Sequence, residues 1–403
     1  MEKIYKVAII GGGFSGLICA EVLSANFGGE EILVLEKNDR VGKKILATGN
    51  GRGNFTNLEI SEDNYHSVCG ADFIYPLRKY GNKSIIGYFR GLGVDYSEEN
   101  GRVYPSSFQA NSILDTLRSK LEYLKTDVRV SSEVVSIKKK DGIFKLFTSS
   151  GKFFAEKVIY ACGGCAGKQY GTDGSSYKLL TPFGHRVTET FPSLVQMKTD
   201  VQKIKGLKGL KQQATVSLIV NGRALKSFTG DLLFTDYGVS GNTIFNLSAY
   251  IPPHEKCQIS ISFLPDKTKD EVAEFLCEKL KNLPYVGVED VLTGVINKQI
   301  GRAIVKDCGG ISRDYQSAKK IAEKLKDFRL NVNGTLGFDS AQVTKGGFLD
   351  CDVSTMNMQS KWVDGLYIVG EALDVDGDCG GYNLQWAYSS AMVACEGIIG
   401  NED

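Results

Sequence analysis

Histidine is scarce in this chain. Only His66, His185 and His254 occur in 403 residues, far apart, and no second C-x-x-C accompanies Cys162 and Cys165. No metal site is therefore expected from ligand spacing. Charge of one sign is missing as well. Forty-eight Lys and Arg face 47 Asp and Glu, a formal net charge of +1. No field draws such a chain to nucleic acid or to an anionic membrane, and neither is expected as a partner. Lys138-Lys139-Lys140 reads as a solvated strand end. There is no apolar run long enough to span a bilayer, no internal repeat and no low-complexity segment. The apolar opening is broken by glycines, Ser15 and Glu21, unlike a signal peptide. Ten cysteines lack the spacing of a disulfide scaffold and read as reduced thiols of a cytoplasmic protein.

Glycine is abundant, 46 in all, and its densest use comes first. Tyr5 to Ile10 is a short apolar run of the kind that forms a buried parallel strand. It enters Gly11-Gly12-Gly13-Phe14-Ser15-Gly16 and then Leu17 to Leu23, with helical apolar spacing. A second apolar run, Glu31 to Leu35, ends on Glu36. In such a unit Gly11 permits the tight turn, Gly13 lets a pyrophosphate approach the backbone, and Gly16 lets helix and strand pack closely. The helix N-terminus turns free N–H groups towards the phosphates, and Glu36 is placed for a ribose diol. A glycine-rich turn without ligand would not need all of these parts in this order. The reading is a dinucleotide site.

Val41 to Asn57 has no helical or strand period but is rich in Gly, Asn and Thr. Lying directly after the ribose acid, it reads as a ligand loop rather than plain surface, with Lys44 and Arg52 able to neutralise phosphate. Residues 71–92 and 107–125 read as helices. Short β segments follow between Asp127 and Phe154, then a return strand from Lys157 to Ala161. A β-meander in that place is the crossover of FAD-binding doubly wound domains. The return strand ends in Ala161-Cys162-Gly163-Gly164-Cys165, where Ala161, Cys162 and Gly163 can lie close to the cofactor. The C-x-x-C allows a redox pair or half a metal site, but coincidence accounts for it.

From Phe191 the pattern changes. Residues 214–220, 223–228, 232–235 and 258–263 read as β, residues 270–281, 286–297 and 314–328 as amphipathic helices, and 329–332 and 341–344 as β again. The expected fold is α/β: a doubly wound, glutathione-reductase-like FAD-binding domain (1–190 and 345–403), an inserted β-barrel-like domain (191–268 and 329–344) and a helical subdomain (269–328). No second dinucleotide fingerprint occurs. The chain then returns through Gly365 to Glu371 and Asp374, Asp376 and Asp378. Next come Gly380-Gly381-Tyr382-Asn383-Leu384-Gln385, which open a last helix. The three aspartates lack the downstream glutamate of a calcium loop and read as cofactor loop.

K-K-I-L-A-T-G-N-G-R-G-N-F-T-N, T-K-G-G-F and G-E-A-L-D-V-D-G-D-C-G-G-Y-N-L-Q-W-A together resemble the BaiN-like, or aminoacetone-oxidase-like, flavoproteins over nearly the whole chain. The resemblance implies non-covalent FAD. Carried over residue by residue, it implies contacts at Gly11, Gly13, Ser15, Gly16, Glu36, Lys37, Lys44, Gly49, Gly51, Arg52, Asn54, Val134, Ala161, Gly163, Gly370, Glu371, Asn383, Leu384 and Gln385. Phe14 and Cys162 complete the candidate set. The chain departs from the family at Gly53 (usually Cys), at Cys162 (usually Thr), at Asp236 (usually His) and at Asn242 (usually Pro).

The resemblance also implies an activity: reduction of carbon–carbon double bonds conjugated to a ketone, in steroid or bile-acid breakdown. The expected reaction is an ene-reduction, with NADH or NADPH as electron donor and a small hydrophobic substrate. A donor must polarise the ketone and an acid must protonate the α-carbon. Tyr382, Tyr237 and Tyr170, phenols in or near glycine-rich loops, are the candidates, each with a plain packing role as the alternative. A flavin oxidase of a small amine, and a flavoprotein associated with RNA or a protein partner, are the rival readings.

Overall fold

The computed structural model describes residues 2–70 and 73–400. The chain forms two compact units, one from Met1–Pro192 and Gln342–Asp403, the other from Ser193–Ala341.

The first unit is built on a seven-stranded sheet. Asp127–Arg129, Ile32–Leu35, Ile4–Ile10 and Gly151–Tyr160 lie side by side, parallel throughout. Every residue of Ile32–Leu35 is buried, as are Tyr5 and Val7 to Ile10 of Ile4–Ile10, which is why both runs are mostly apolar rather than alternating. Gly151–Tyr160 is one long strand with two partners. Its first half pairs antiparallel with Ile143–Thr148, which in turn pairs with Val134–Lys140. Its last three residues pair parallel with Leu366–Ile368. The return strand expected from Lys157 is thus the second half of a strand that begins in the meander.

Helix Phe14–Phe27 is buried on most of its circumference and ends at Gly28, whose φ is +91°. The closing helix Tyr382–Ile399 lies along it. The Cys19 thiol donates to the Ala391 carbonyl and the Cys395 thiol to the Cys19 carbonyl. None of the ten cysteines is disulfide-bonded, and no described helix is long and apolar enough to cross a membrane. The helix expected over 71–92 is two helices, Ile74–Lys79 and Asn82–Gly91. Residues 71 and 72 of that expectation lie outside the described residues.

In the second unit, Met197–Thr199, Gly238–Ser240, Arg223–Phe234, Lys211–Val220, Cys257–Ser262 and Phe328–Thr335 close into an antiparallel barrel. Cys257–Ser262 alternates strictly, with Cys257, Ile259 and Ile261 inside. Helices Lys269–Asn282, Lys298–Cys308 and Tyr315–Lys326 share one core with the barrel: Leu276, Ile304 and Ile321 belong to the same cluster as Val216, Ile259 and Leu330. The helix expected over 286–297 is absent. That stretch holds a single 3-10 turn, Val288–Asp290, because Gly287 and Gly294 (φ +83°) interrupt its apolar spacing. The helix begins instead at Lys298, where the Asn297 side chain accepts from the Gln299 amide.

Candidate functional site

The first loop has the geometry its glycines demand. A Cβ on Gly11 would stand 2.4 Å from the Ala161 carbonyl oxygen, and one on Gly16 only 2.0 Å from the Gly11 oxygen. Those two glycines let strand, loop and helix pack without a gap. Gly13 is different: a Cβ there would meet nothing within 4 Å, so it faces open space. Helix Phe14–Phe27 starts on it with no side-chain cap and no acidic residue in its first turn. Its free N–H groups are left for an anion. The Phe14 ring packs towards Phe89, with centroids 6.0 Å apart.

Glu36 is 8% exposed and firmly held. Its Oε2 accepts the Gly12 amide at 2.8 Å, and its Oε1 accepts both the backbone and side-chain N–H groups of Asn38. A carboxylate oxygen accepts about two hydrogen bonds, so Oε2 keeps one site for a diol while Oε1 is filled. Asn38 also donates to the Tyr170 carbonyl, which ties Tyr170 to the ribose acid. Lys37 pairs with Asp173 at 3.3 Å.

In the 41–57 loop, Gly49, Asn50, Gly51 and Gly53 all have positive φ. Gly53, where the family usually carries Cys, has φ +78°, and a Cβ would come within 2.9 Å of the Ala110 Cα. Glycine is required there by this backbone. Asn54 is buried and donates to the Thr56 and Val103 carbonyls. The Arg52 guanidinium pairs with Glu99 and stacks on Tyr104 and Phe108. Lys44 reaches across the unit to Glu371 at 2.6 Å, and Glu371 also accepts the Thr344 amide. Val134 is buried at the start of its strand.

Cys162 and Cys165 turn to different partners, the Ile10 carbonyl and the Thr190 hydroxyl. Burial pushes the Cys162 thiol up to about 12 and raises that of Cys165 as well. Neither is an activated thiol. Gly163 has φ +72° beside Thr172.

The closing helix also starts uncapped, on Gly381 with φ +101° and no acid in the first turn. Gly370, with φ +69°, donates to the Ser390 hydroxyl and accepts the Trp386 indole N–H. A Cβ on Gly370 would stand 2.2 Å from the Ser15 Oγ, so the first and last segments of the chain meet there. Asn383 closes a loop by exchanging hydrogen bonds with Gly377. Leu384 is half-buried. Gln385 is fully buried, and its side chain is used by Thr56, Tyr80 and Ser389.

The tyrosines fare differently. The Tyr382 hydroxyl donates to the Glu59 carbonyl, its ring meets Tyr65 edge-on, and burial raises its phenol to about 12. Tyr170 is half-buried in the 3-10 turn Lys168–Tyr170. Tyr237 stands in a tight turn of the barrel unit, where its carbonyl accepts the Thr199 amide. The neighbouring Asp236 pairs with Lys208 at 2.6 Å.

Taken together, Gly13, two uncapped helix ends and the spare acceptor on Glu36 fit a dinucleotide. Residues 5–397 match the family model described as "HI0933-like protein Rossmann domain". The chain belongs to this family. Its relatives include proteins of known function. The 3-dehydro-bile acid delta(4,6)-reductase of Clostridium scindens is 32% identical, over 96% of this chain and 98% of its own. The ribosomal RNA dihydrouridine synthase of Escherichia coli is 30% identical, over 99% of both. Among solved structures, the 3-ketosteroid-delta4-(5alpha)-dehydrogenase of Rhodococcus jostii RHA1 aligns over 98% of both chains with a TM-score of 0.51 and 13% identity, a likeness of fold alone. Family and fold make the chain an FAD-type oxidoreductase.

Proposed function

We propose that the protein is an NAD(P)H-driven, FAD-dependent reductase of carbon–carbon double bonds conjugated to a carbonyl. The observation that carries this reading is the dinucleotide cradle around Gly13 and Glu36 in a chain whose relatives, matched end to end, share one chemistry. A delta-4 bond beside a 3-ketone and the 5,6 bond of uridine are both conjugated to a carbonyl. Each is saturated by hydride at the β-carbon and a proton at the α-carbon.

Bound FAD supplies the hydride. The chain's own residues bind and orient. The first-turn N–H groups after Gly13 hold the pyrophosphate, and Glu36 Oε2 accepts from the ribose. Lys44, aimed by Glu371, is the cation of the cradle. The free N–H groups that open the closing helix stabilise negative charge bound beside them. The proton needs a donor, and Tyr382, Tyr237 and Tyr170 are distinguished by single Phe variants. Tyr382→Phe should lower stability by about 1 kcal/mol through its lost hydrogen bond to Glu59, whatever its effect on turnover.

A steroid- or bile-acid-like enone is the first substrate class, in keeping with the near-zero net charge. Uridine in ribosomal RNA is the second, favoured by the Escherichia coli relative. The test is an anaerobic visible spectrum. NADH or NADPH should bleach the protein, and a 3-oxo-4-ene steroid should restore the colour. If only air restores it, the protein is an oxidase or acts on a substrate other than the steroid. If the steroid does not act, dihydrouridine measured in ribosomal RNA from cells with and without the gene decides for or against the second class. A protein that cannot be reconstituted with FAD overturns the whole reading.

A further inference from the structure

Cys69, Asp350 and Cys351 bring three ligand-type atoms within 4.8 Å of one another. Cys69 follows the short strand Tyr65–His66, whereas Asp350 and Cys351 stand in the 3-10 turn Asp350–Asp352. The two sulfurs are 2.8 Å apart although 282 residues separate them in sequence. Asp350 is 1% exposed, and among the described residues neither of its carboxylate oxygens has a well-formed hydrogen bond, the Cys69 thiol being the group that interacts with it. Asp374, equally buried, is bonded by Thr188 and the Val68 backbone but leaves its Oδ2 without a partner among the described residues. A buried carboxylate with no cation to answer it carries a penalty of several kcal/mol, and native structures avoid this by pairing or metal coordination.

The neighbouring cations do not answer it. Arg186 is engaged by Asp352, with Nη2 2.6 Å from Oδ1, and reaches only the Cys351 Sγ, at 4.0 Å. Lys345 acts on Asp374. A disulfide between Cys69 and Cys351 would use both sulfurs and still leave Asp350 unmatched. A cation between all three satisfies the carboxylate and explains why two thiols and an acid converge.

We propose that Cys69, Asp350 and Cys351 are the protein ligands of a thiophilic divalent cation, with Zn2+ the ion they suit and a water completing the tetrahedron. Thiolate and carboxylate are both zinc ligands, and two thiolates make the set softer than calcium or magnesium would take. Zn–S bonds of about 2.3 Å hold two ligating sulfurs about 3.8 Å apart, so the pair opens by about 1 Å when the ion enters. Two thiolates, a carboxylate and Zn2+ sum to one negative charge. Arg186 stands where it can donate to the Cys351 thiolate and offset that charge. The ion ties the segment around Cys69 to the 350–352 turn and so acts as a staple within the first unit. The spacing of these residues gives no sign of it, because no two of the ligands form a C-x-x-C.

The test uses the full-length, flavin-loaded, reduced protein and Zn2+ alone. After desalting, about one equivalent of Zn2+ should remain by elemental analysis. Alkylation of Cys69 and Cys351, followed by peptide mass spectrometry, should slow by about tenfold or more when Zn2+ is present. Cys308, half-exposed in the barrel unit, should react at an unchanged rate. Asp350→Asn should weaken retention by about tenfold, and the labelling of the native chain stands even if that variant fails to fold. Equal labelling of Cys69 and Cys351 with and without Zn2+ overturns the proposal. So does a Cys69–Cys351 disulfide in the purified protein that, once reduced, takes up no Zn2+.

Discussion

Lys44 Nζ and Glu371 Oε2 stand 2.6 Å apart across 327 residues of sequence, each side chain about three-quarters buried. Both belong to the contacts that the family resemblance implies for FAD, and the structure joins them to each other. Glu371 is held in turn by the Thr344 amide, so it aims the lysine rather than merely neutralising it. Glu371→Gln keeps the shape and removes the charge. The expected result is a folded protein, less stable by about 1 kcal/mol, whose FAD dissociation constant rises about tenfold. Fluorescence titration of apoprotein with FAD reads this directly, and an unchanged constant would remove Lys44 from the cradle.

Gly13 and Gly16 belong to one fingerprint but predict opposite phenotypes. Gly13 has φ −81° and empty space where a Cβ would go, so Gly13→Ala should fold with stability changed by less than about 1 kcal/mol. The methyl would occupy the room kept for the pyrophosphate, and FAD affinity should fall at least about tenfold. Gly16→Ala drives its methyl into the Gly11 carbonyl and should lose both stability and FAD. Thermal unfolding of the two apoproteins separates them. If Gly13→Ala binds FAD normally, the open face of the loop is not the phosphate site.

His185 is 3% exposed, accepts or donates at Nε2 with Ser360, and leaves Nδ1 without a partner among the described residues. Burial pushes its pKa below 6.5, against a smaller opposing pull from Asp352. The unfolded chain therefore binds this proton more readily than the folded one. Its contribution is complete above the unfolded value and is lost as pH falls through the lowered native value. The melting temperature should drop between about pH 7 and pH 5, and His185→Gln should flatten that drop. Equal slopes in the two proteins would assign the acid sensitivity to other groups.

The opening unit was legible because strand, loop, helix and acid are contiguous, each with a local physical signature. The barrel strands were legible for the same reason: Cys257–Ser262 alternates inside and out along one stretch. The helix Lys298–Cys308 was not, and it holds Gly301 in its interior. Gly301 is there because a Cβ would stand 2.8 Å from that of Leu292, so the glycine serves helix packing. The partners of the site residues were equally hidden. Nothing in the spacing says that Arg52 stacks on Tyr104, or that Cys69 meets Cys351, since such pairs exist only after the chain has closed.

Gln385 raises the question of whether a residue implied as a cofactor contact touches the cofactor at all. Its side chain is wholly buried: Oε1 accepts the Thr56 hydroxyl at 2.6 Å, while Nε2 donates to the Tyr80 carbonyl and the Ser389 hydroxyl. Its backbone N–H bonds to the Gly381 carbonyl, which sets the first turn of the closing helix. This geometry makes Gln385 a positioning residue that fixes the 56–57 strand against that helix. Gln385→Leu would strand the Thr56 hydroxyl donor and take one donor from the buried Tyr80 carbonyl, a loss of about 2 kcal/mol in the apoprotein. Gln385→Glu would be worse, because a carboxylate would face the Tyr80 carbonyl. A direct contact would instead weaken FAD binding and leave the apoprotein's unfolding unchanged. Unfolding curves measured with and without FAD distinguish the two, and an unchanged apoprotein would return Gln385 to the cofactor.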